Sequence, residues 1–202
     1  MYRCTGKRLL DLLLASLCAV IFAPVMAVVW LVSTRKMGYP VLFFQERPGK
    51  NGETFRMVKF RTMTDERGED GELLPEDKRL TSYGRWLRTT SLDELPNLLN
   101  VIKGEMSLVG PRPLAVRYLS LYSPEQARRH EVKPGVTGWS QVNGRNAIDW
   151  ETKLALDVWY VDNVSFALDV KILFLTLAKV IKRSGISAEG HATMPEFKGP
   201  KK

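Results

Sequence analysis

Residues 9–32, LLDLLLASLCAVIFAPVMAVVWLV, form a nearly continuous apolar run of 24 residues, and the fold turns on whether it crosses a bilayer or bends back. A straight helix of that length spans about 36 Å at 1.5 Å per residue, more than the roughly 30 Å hydrocarbon core of a membrane. Arg3, Lys7 and Arg8 ahead of it resemble the basic start of a cleaved leader. The run is longer than a leader core, however, and no convincing cleavage site follows it. Pro24 removes one backbone donor and crowds the preceding turn, so a kink is expected there. Arg35 and Lys36 make the far flank basic as well. A preference for basic flanks on the cytoplasmic side then favours a re-entrant helix with both ends on one face. Asp11 needs an interface or a partner. Kinked helices also span membranes, and on these residues alone both topologies stay open.

The 202 residues are enough for one domain with a sizeable core. A net charge of +8 and a pI of about 9.6 point to an anionic partner: nucleic acid, acidic lipid or a phosphorylated substrate. No nucleic-acid reading motif supports the first of these. Residues 65–79 carry seven acidic and three basic side chains, so the rest of the chain holds +12. That acidic stretch reads as an exposed loop. Cys4 and Cys18 make no disulfide framework, which suggests a reducing compartment. His130 and His191 form no metal cluster with them.

Val41 to Gln45 and Thr54 to Phe60 read as two strands around a turn at Pro48–Gly52. Lys59-Phe60-Arg61 sets two cations around an aromatic residue. The chemistry concentrates in Arg88-Thr-Thr-Ser-Leu-Asp93-Glu94-Leu-Pro-Asn97. Adjacent carboxylates in the first turn of a helix, near the positive end of its dipole, are a plausible nucleophile and base. Ser91-x-x-Glu94 is equally a capping box, although Pro96 would then fall inside the helix. From Leu92 the spacing puts Leu95, Leu98, Leu99 and Ile102 toward a core and Asp93, Asn97 and Asn100 on the opposite face. Gly110-Pro111-Arg112-Pro113 is a stiff loop suited to holding an arginine fork against a phosphate, or a turn with a surface arginine. Lys133 to Arg145, with three glycines, reads as a ligand-wall loop. Residues 149–163 and 166–183 are helical. On the second, Asp169, Lys171, Thr176, Lys179, Lys182 and Arg183 share one side, and the broad apolar remainder suits a membrane interface or a core. The tail to Lys202 reads as disordered.

In this order and spacing, Lys59-Phe60-Arg61-Thr62-Met63, Arg88 to Asn97, Ser107 to Pro113 and Pro134 to Trp139 resemble the bacterial monotopic phosphoglycosyl transferases, the polyprenyl-phosphate sugar-phosphate transferase family. The resemblance runs from the apolar segment to about Asn163. The chain looks like the small members that begin protein N-glycosylation with N,N′-diacetylbacillosamine 1-phosphate. It implies that Asp93 attacks the β-phosphate of a UDP-sugar, that UMP leaves, and that undecaprenyl phosphate then takes the sugar phosphate from Asp93. It further implies Glu94 as base or acceptor-positioning group and Mg2+ close to Asp93. Phosphate-binding residues would be Arg112 first, then Arg88, Lys59, Arg61 and Arg145. It also implies a re-entrant helix broken at Pro24, with both ends cytoplasmic at the bacterial inner membrane. Ala23 stands where many relatives have serine, so Pro24 would bend the helix alone.

The expected fold is α+β: a re-entrant membrane helix (1–36), then a small, mostly helical catalytic domain with a β-hairpin and interfacial helices (37–185), then a polar tail (186–202). The expected partners are a UDP-sugar, undecaprenyl phosphate and membrane lipid, and oligomeric state is not readable. Two alternatives stay in view. A lipid-linked glycosyltransferase would release UDP, and a non-catalytic membrane scaffold would release nothing.

Overall fold

The computed structural model describes residues 2–144, 148–182 and 196–199. It mixes helix and sheet behind one long apolar helix. A π-helical turn (Tyr2–Gly6) leads into α1 (Lys7–Met37). The hairpin β1 (Leu42–Pro48) and β2 (Thr54–Phe60) follows, paired antiparallel from Leu42 opposite Phe60 to Pro48 opposite Thr54. Next come α2 (Glu76–Arg79), α3 (Ser82–Thr90), a 3-10 turn (Leu92–Glu94) and α4 (Asn97–Lys103). Strand β3 (Ser107–Val109), α5 (Pro124–Ala127), β4 (Gly135–Thr137), α6 (Trp139–Asn143), α7 (Trp150–Asp162) and α8 (Phe166–Lys182) complete the described elements.

Helix α1 is long and apolar enough to cross a membrane, with an 18-residue window of mean hydropathy 2.7 that is only 11% buried. It continues through Pro24, so the expected break in the helix is not seen. Proline removes one backbone donor, and the helix nevertheless runs on to Met37. The two ends pack on the same body. At the start, Lys7 pairs with Asp169 at 2.6 Å, and Asp11 accepts a hydrogen bond from the Leu108 amide at 3.0 Å. Near the end, Ser33 meets the Tyr83 hydroxyl at 3.1 Å, and Val29 joins Val41, Phe60 and Leu87. Between these anchors Leu17, Val20, Ile21 and Val25 are exposed. Asp11 thus finds its partner in a backbone amide.

Helix α8 inverts the expected pattern. Asp169, assigned to the polar face, is 1% exposed and accepts from Tyr2, Lys7 and Tyr160 at 2.6–2.7 Å. Phe174 and Leu177 are 69% and 58% exposed. Buried polar groups persist where they are fully hydrogen-bonded, and an outward apolar stripe suits lipid contact. The main core joins α1, α4, β3, α7 and α8 through Ala15, Val101, Met106, Val109, Tyr160 and Ile172.

The tail differs from expectation where it is described. Phe197 is 2% exposed, with ring centroids 5.3–5.6 Å from Trp150, Tyr118 and Tyr122. Phe197→Ala is expected to cost about 3 kcal/mol of stability. An unchanged unfolding midpoint would mean that this ring is not packed in solution.

Candidate active site

Thr81 starts α3 by accepting a hydrogen bond from the Gly84 amide at 2.9 Å. Ser91 ends it in the left-handed region, at φ 58° and ψ 16°. A non-glycine residue there is uncommon and marks a sharp reversal. Ser91 therefore closes a helix instead of opening one, and its side chain makes no capping bond. Pro96 stands at the N-cap of α4, where a missing N–H removes no intrahelical bond. Asp93 and Glu94 consequently occupy a tight 3-10 corner between two helices.

The face assignment on α4 is corrected too. Asn97 and Asn100 are 2% and 1% exposed, whereas Leu99 is 51% exposed. Asn100 accepts from the Val58 amide (3.1 Å) and donates to the Arg56 carbonyl (2.8 Å) and to Glu105 (2.7 Å). It fastens the hairpin to α4, and this cross-chain need overrides the apolar rhythm. Asn97 Oδ1 is buried with no hydrogen-bond partner among the described residues.

Glu94 is clamped between two cations. Its Oε1 lies 2.6 Å from Lys59 Nζ and 2.7 Å from the Arg112 guanidinium. Burial alone would push Glu94 up, but Arg112 and Lys59 more than offset it and hold the carboxyl well below the usual range. Burial pulls the Lys59 ammonium down while Glu94 opposes the shift. Asp93, 8% exposed, is pushed up to about 6, first by burial and then by the charge of Glu94, against Lys59, Arg112 and Arg88. No hydrogen bond to its carboxylate is formed among the described residues. The corner thus gives two neighbouring carboxylates opposite shifts, and Asp93 is the more basic of the two. Glu94, while clamped, is a poor proton acceptor.

Arg112 is held by backbone contact behind it. Strands β3 and β4 pair in parallel, Ser107 opposite Gly135 and Val109 opposite Thr137. A Cβ on Gly135 would stand 2.1 Å from the Gly110 nitrogen, so only glycine permits this approach. The Gly110–Pro113 and Pro134–Trp139 stretches, read separately as two loops, are therefore one structural unit. Arg129, paired with Asp157 at 2.7 Å and 1% exposed on both side chains, donates to the Arg112 carbonyl at 2.7 Å. Ser140 holds the other oxygen of Asp157 at 2.7 Å.

Of the residues expected at the site, Asp93, Glu94, Lys59 and Arg112 come together. Arg88 adds its charge nearby and donates to the Thr62 hydroxyl at 3.1 Å. Arg61 does not join them. It donates to the Met37 and Gly38 carbonyls, at the C-terminus of α1, and pairs with Asp65 at 3.0 Å. There a cation satisfies carbonyls that the helix leaves open. Arg145 lies outside the described residues. Arg47, not singled out in the sequence, and Asn97, placed there on one face with Asp93 but given no role, line the space beside Glu94 together with Lys59 and Arg112. Burial pulls Arg47 down to about 10, with Arg112 adding to the shift. Its signal in the sequence was weak: a cation at the end of a strand whose partner carries Lys59. The enclosed volume is only about 30 Å³, room for about one or two waters.

The family described as bacterial sugar transferase matches residues 2–183. A Bacillus subtilis protein named uncharacterized sugar transferase EpsL is 58% identical over 197 residues, 96% of each chain. The undecaprenyl-phosphate galactose phosphotransferase of Salmonella typhimurium is 38% identical over 196 residues, covering 89% of this chain and 41% of its own. The UDP-glucose:undecaprenyl-phosphate glucose-1-phosphate transferase of Klebsiella pneumoniae is 42% identical over 185 residues, 86% of this chain and 39% of its own. The chain thus spans about two fifths of the length of those last two relatives.

Proposed function

The chain belongs to the bacterial sugar transferase family and is a phosphoglycosyl transferase, and from that premise we propose that it moves a sugar 1-phosphate from a UDP-sugar to undecaprenyl phosphate through a covalent intermediate on Asp93. The observation that carries this reading is the contrast at the corner: a buried aspartate with no hydrogen bond to its carboxylate among the described residues, beside a glutamate clamped by Lys59 and Arg112. An Asp93 oxygen attacks the β-phosphorus, the bond to the oxygen shared with the α-phosphate breaks, and UMP leaves with that oxygen. The sugar 1-phosphate stays on Asp93 as an acyl phosphate. An oxygen of undecaprenyl phosphate then attacks the same phosphorus, the bond to Asp93 breaks, and the carboxylate is restored.

Phosphoryl transfer of this kind depends on positioning and positive charge. Arg112, Lys59 and Arg47 supply both. As the diphosphate takes their charge, Glu94 loses its clamp, rises toward an ordinary carboxylate and becomes able to position the acceptor. Magnesium would be held by Asp93, with the unpartnered Asn97 Oδ1 as a second candidate oxygen, and would supply charge neutralisation at the phosphate oxygens. We propose N,N′-diacetylbacillosamine as the sugar and the first membrane step of protein N-glycosylation as the setting, a reading that rests on the motif resemblance alone.

We also read the chain as monotopic at the bacterial inner membrane, with its catalytic domain cytoplasmic. Two anchors of α1 on one globular body support this, since ends that pack on the same body lie on the same side. With the native cysteines replaced by serine, Thr5→Cys and Lys36→Cys are both expected to react only with a reagent admitted to the cytoplasm. Periplasmic labelling of either end would overturn the re-entrant reading.

The transfer itself is tested by intact mass. Purified protein with Mg2+ and a panel of UDP-sugars, without lipid, is expected to gain one sugar phosphate on Asp93 from the diacetylbacillosamine donor. The gain is lost on adding undecaprenyl phosphate and absent in EDTA. An adduct only from UDP-galactose or UDP-glucose would replace the sugar assignment. Release of UDP in place of UMP would establish the glycosyltransferase instead.

A further inference from the structure

The β1–β2 hairpin has two faces, because side chains alternate across a strand. Met57 and Lys59 line the space beside Glu94, whereas Thr54, Arg56 and Val58 face the other way. On that far side a groove of about 820 Å³ runs between the hairpin and α4. One end is apolar, with Phe44 49% and Leu99 51% exposed. The other gathers Lys50, Lys103 and Lys133, while the Arg56 guanidinium lies over the Phe44 ring, 5.1 Å from its centroid. None of these four cations belongs to an ion pair among the described residues. Glu53 and Glu105 also line the groove, and Glu105 is held by Asn100 at 2.7 Å.

Arg8 stands directly behind, donating to the Val101 and Ile102 carbonyls at 2.6 and 2.7 Å. A Cβ on Gly104 would lie 3.3 Å from the Arg8 guanidinium and 3.4 Å from Lys133 Nζ, so the two cations crowd one spot. Burial, with Arg8 and Lys50 adding to it and Asp11 opposing, pulls the Lys133 ammonium down. Crowded cations of this kind are relieved by an anion.

We propose that this groove seats one anionic phospholipid, its headgroup phosphate among Lys50, Lys103 and Lys133 and the start of its acyl chains along Leu99 and Phe44. The position favours a membrane lipid over other phosphates. Arg8 opens the apolar surface of α1, whose Leu9 and Leu13 are 62% and 65% exposed, so the basic end sits where that surface begins. A free phosphate makes no use of the apolar end. The acceptor phosphate must reach Asp93, on the other face of the hairpin. Such a lipid would fix the height and tilt of the domain at the membrane, whatever reaction the corner performs.

The test uses full-length protein in phosphatidylcholine nanodiscs with added phosphatidylglycerol, read by native mass spectrometry of the released protein. One retained phosphatidylglycerol is expected. Lys103→Ala with Lys133→Ala is expected to weaken retention about 30-fold, roughly fivefold for each lysine lost. The charge-matched pair Lys78→Ala with Lys198→Ala should leave it unchanged, and Lys133→Arg should preserve it. Should the alanine pair misfold, Lys50→Ala at an exposed site serves in its place. Equal weakening by both alanine pairs would reduce the effect to diffuse attraction and overturn the proposal. So would displacement by millimolar inorganic phosphate, or by undecaprenyl phosphate at equal concentration.

Discussion

Asp93→Asn is expected to abolish turnover and at the same time to stabilise the protein at neutral pH. Loss of the nucleophile removes the covalent route, with a fall in rate on the order of 10³-fold or more. The stability gain follows from the environment of the carboxyl. A group whose folded pKa lies above its unfolded value binds its proton more tightly when folded. Asp93 rises from 3.8 to about 6, through burial and the neighbouring charge of Glu94. Its ionised form therefore costs nothing below about pH 3.8 and its full cost, about 3 kcal/mol, above pH 6. The asparagine variant should show no advantage at pH 3.5 and the largest one near pH 7.5, in denaturant unfolding at each pH. A variant no more stable at pH 7.5 would mean that Asp93 is not strained as described. The same carboxyl predicts an acidic limb near pH 6 in kcat/KM. Glu94→Gln removes the charge that raises Asp93 and leaves Lys59 and Arg112 facing it, so any residual activity should show that limb at lower pH.

Asp157→Ala is expected to cost about 3–5 kcal/mol, because it leaves the Arg129 guanidinium buried without its counter-charge. Activity should fall further than stability explains, since Arg129 also holds the Arg112 carbonyl. The double variant Arg129→Met, Asp157→Leu separates the two effects. Replacing a buried pair with apolar side chains commonly restores stability, and most of the loss should be recovered on unfolding. The Arg112 carbonyl remains unsupported, so the loss in kcat should persist. Recovery of both would show that the pair serves the fold alone.

Some features were legible from local chemistry. The hairpin could be read because alternating strands around Pro48–Gly52 need no distant partner to be recognised. Helix α7 could be read from the character of residues 149–163 alone, and the structure adds its cap, Asp149, which accepts from the Thr152 amide at 2.9 Å. The adjacent carboxylates and the arginine between two prolines were visible as residue types with an obvious chemistry. Arg61 shows the limit of such reading. Next to an aromatic residue and two positions from Lys59, it looks like a second phosphate ligand. Its partners, however, are the carbonyls that end α1, more than twenty residues earlier. Strands of three residues, such as β3 and β4, carry no period at all, so their pairing was invisible.

A long apolar helix ahead of one basic domain, and Asp93 beside Glu94, are properties that composition and spacing express directly. Which carboxylate is clamped and which is raised is set by the folded chain, because burial raises Asp93 beside the Glu94 charge while Lys59 and Arg112, more than fifty residues apart, converge on Glu94. It likewise turned Asp169 inward and Phe174 outward on α8, since the partners of Asp169 lie on α1 and α7. Periodicity shows that a helix has two faces. Which face meets the protein depends on what the rest of the chain offers to each.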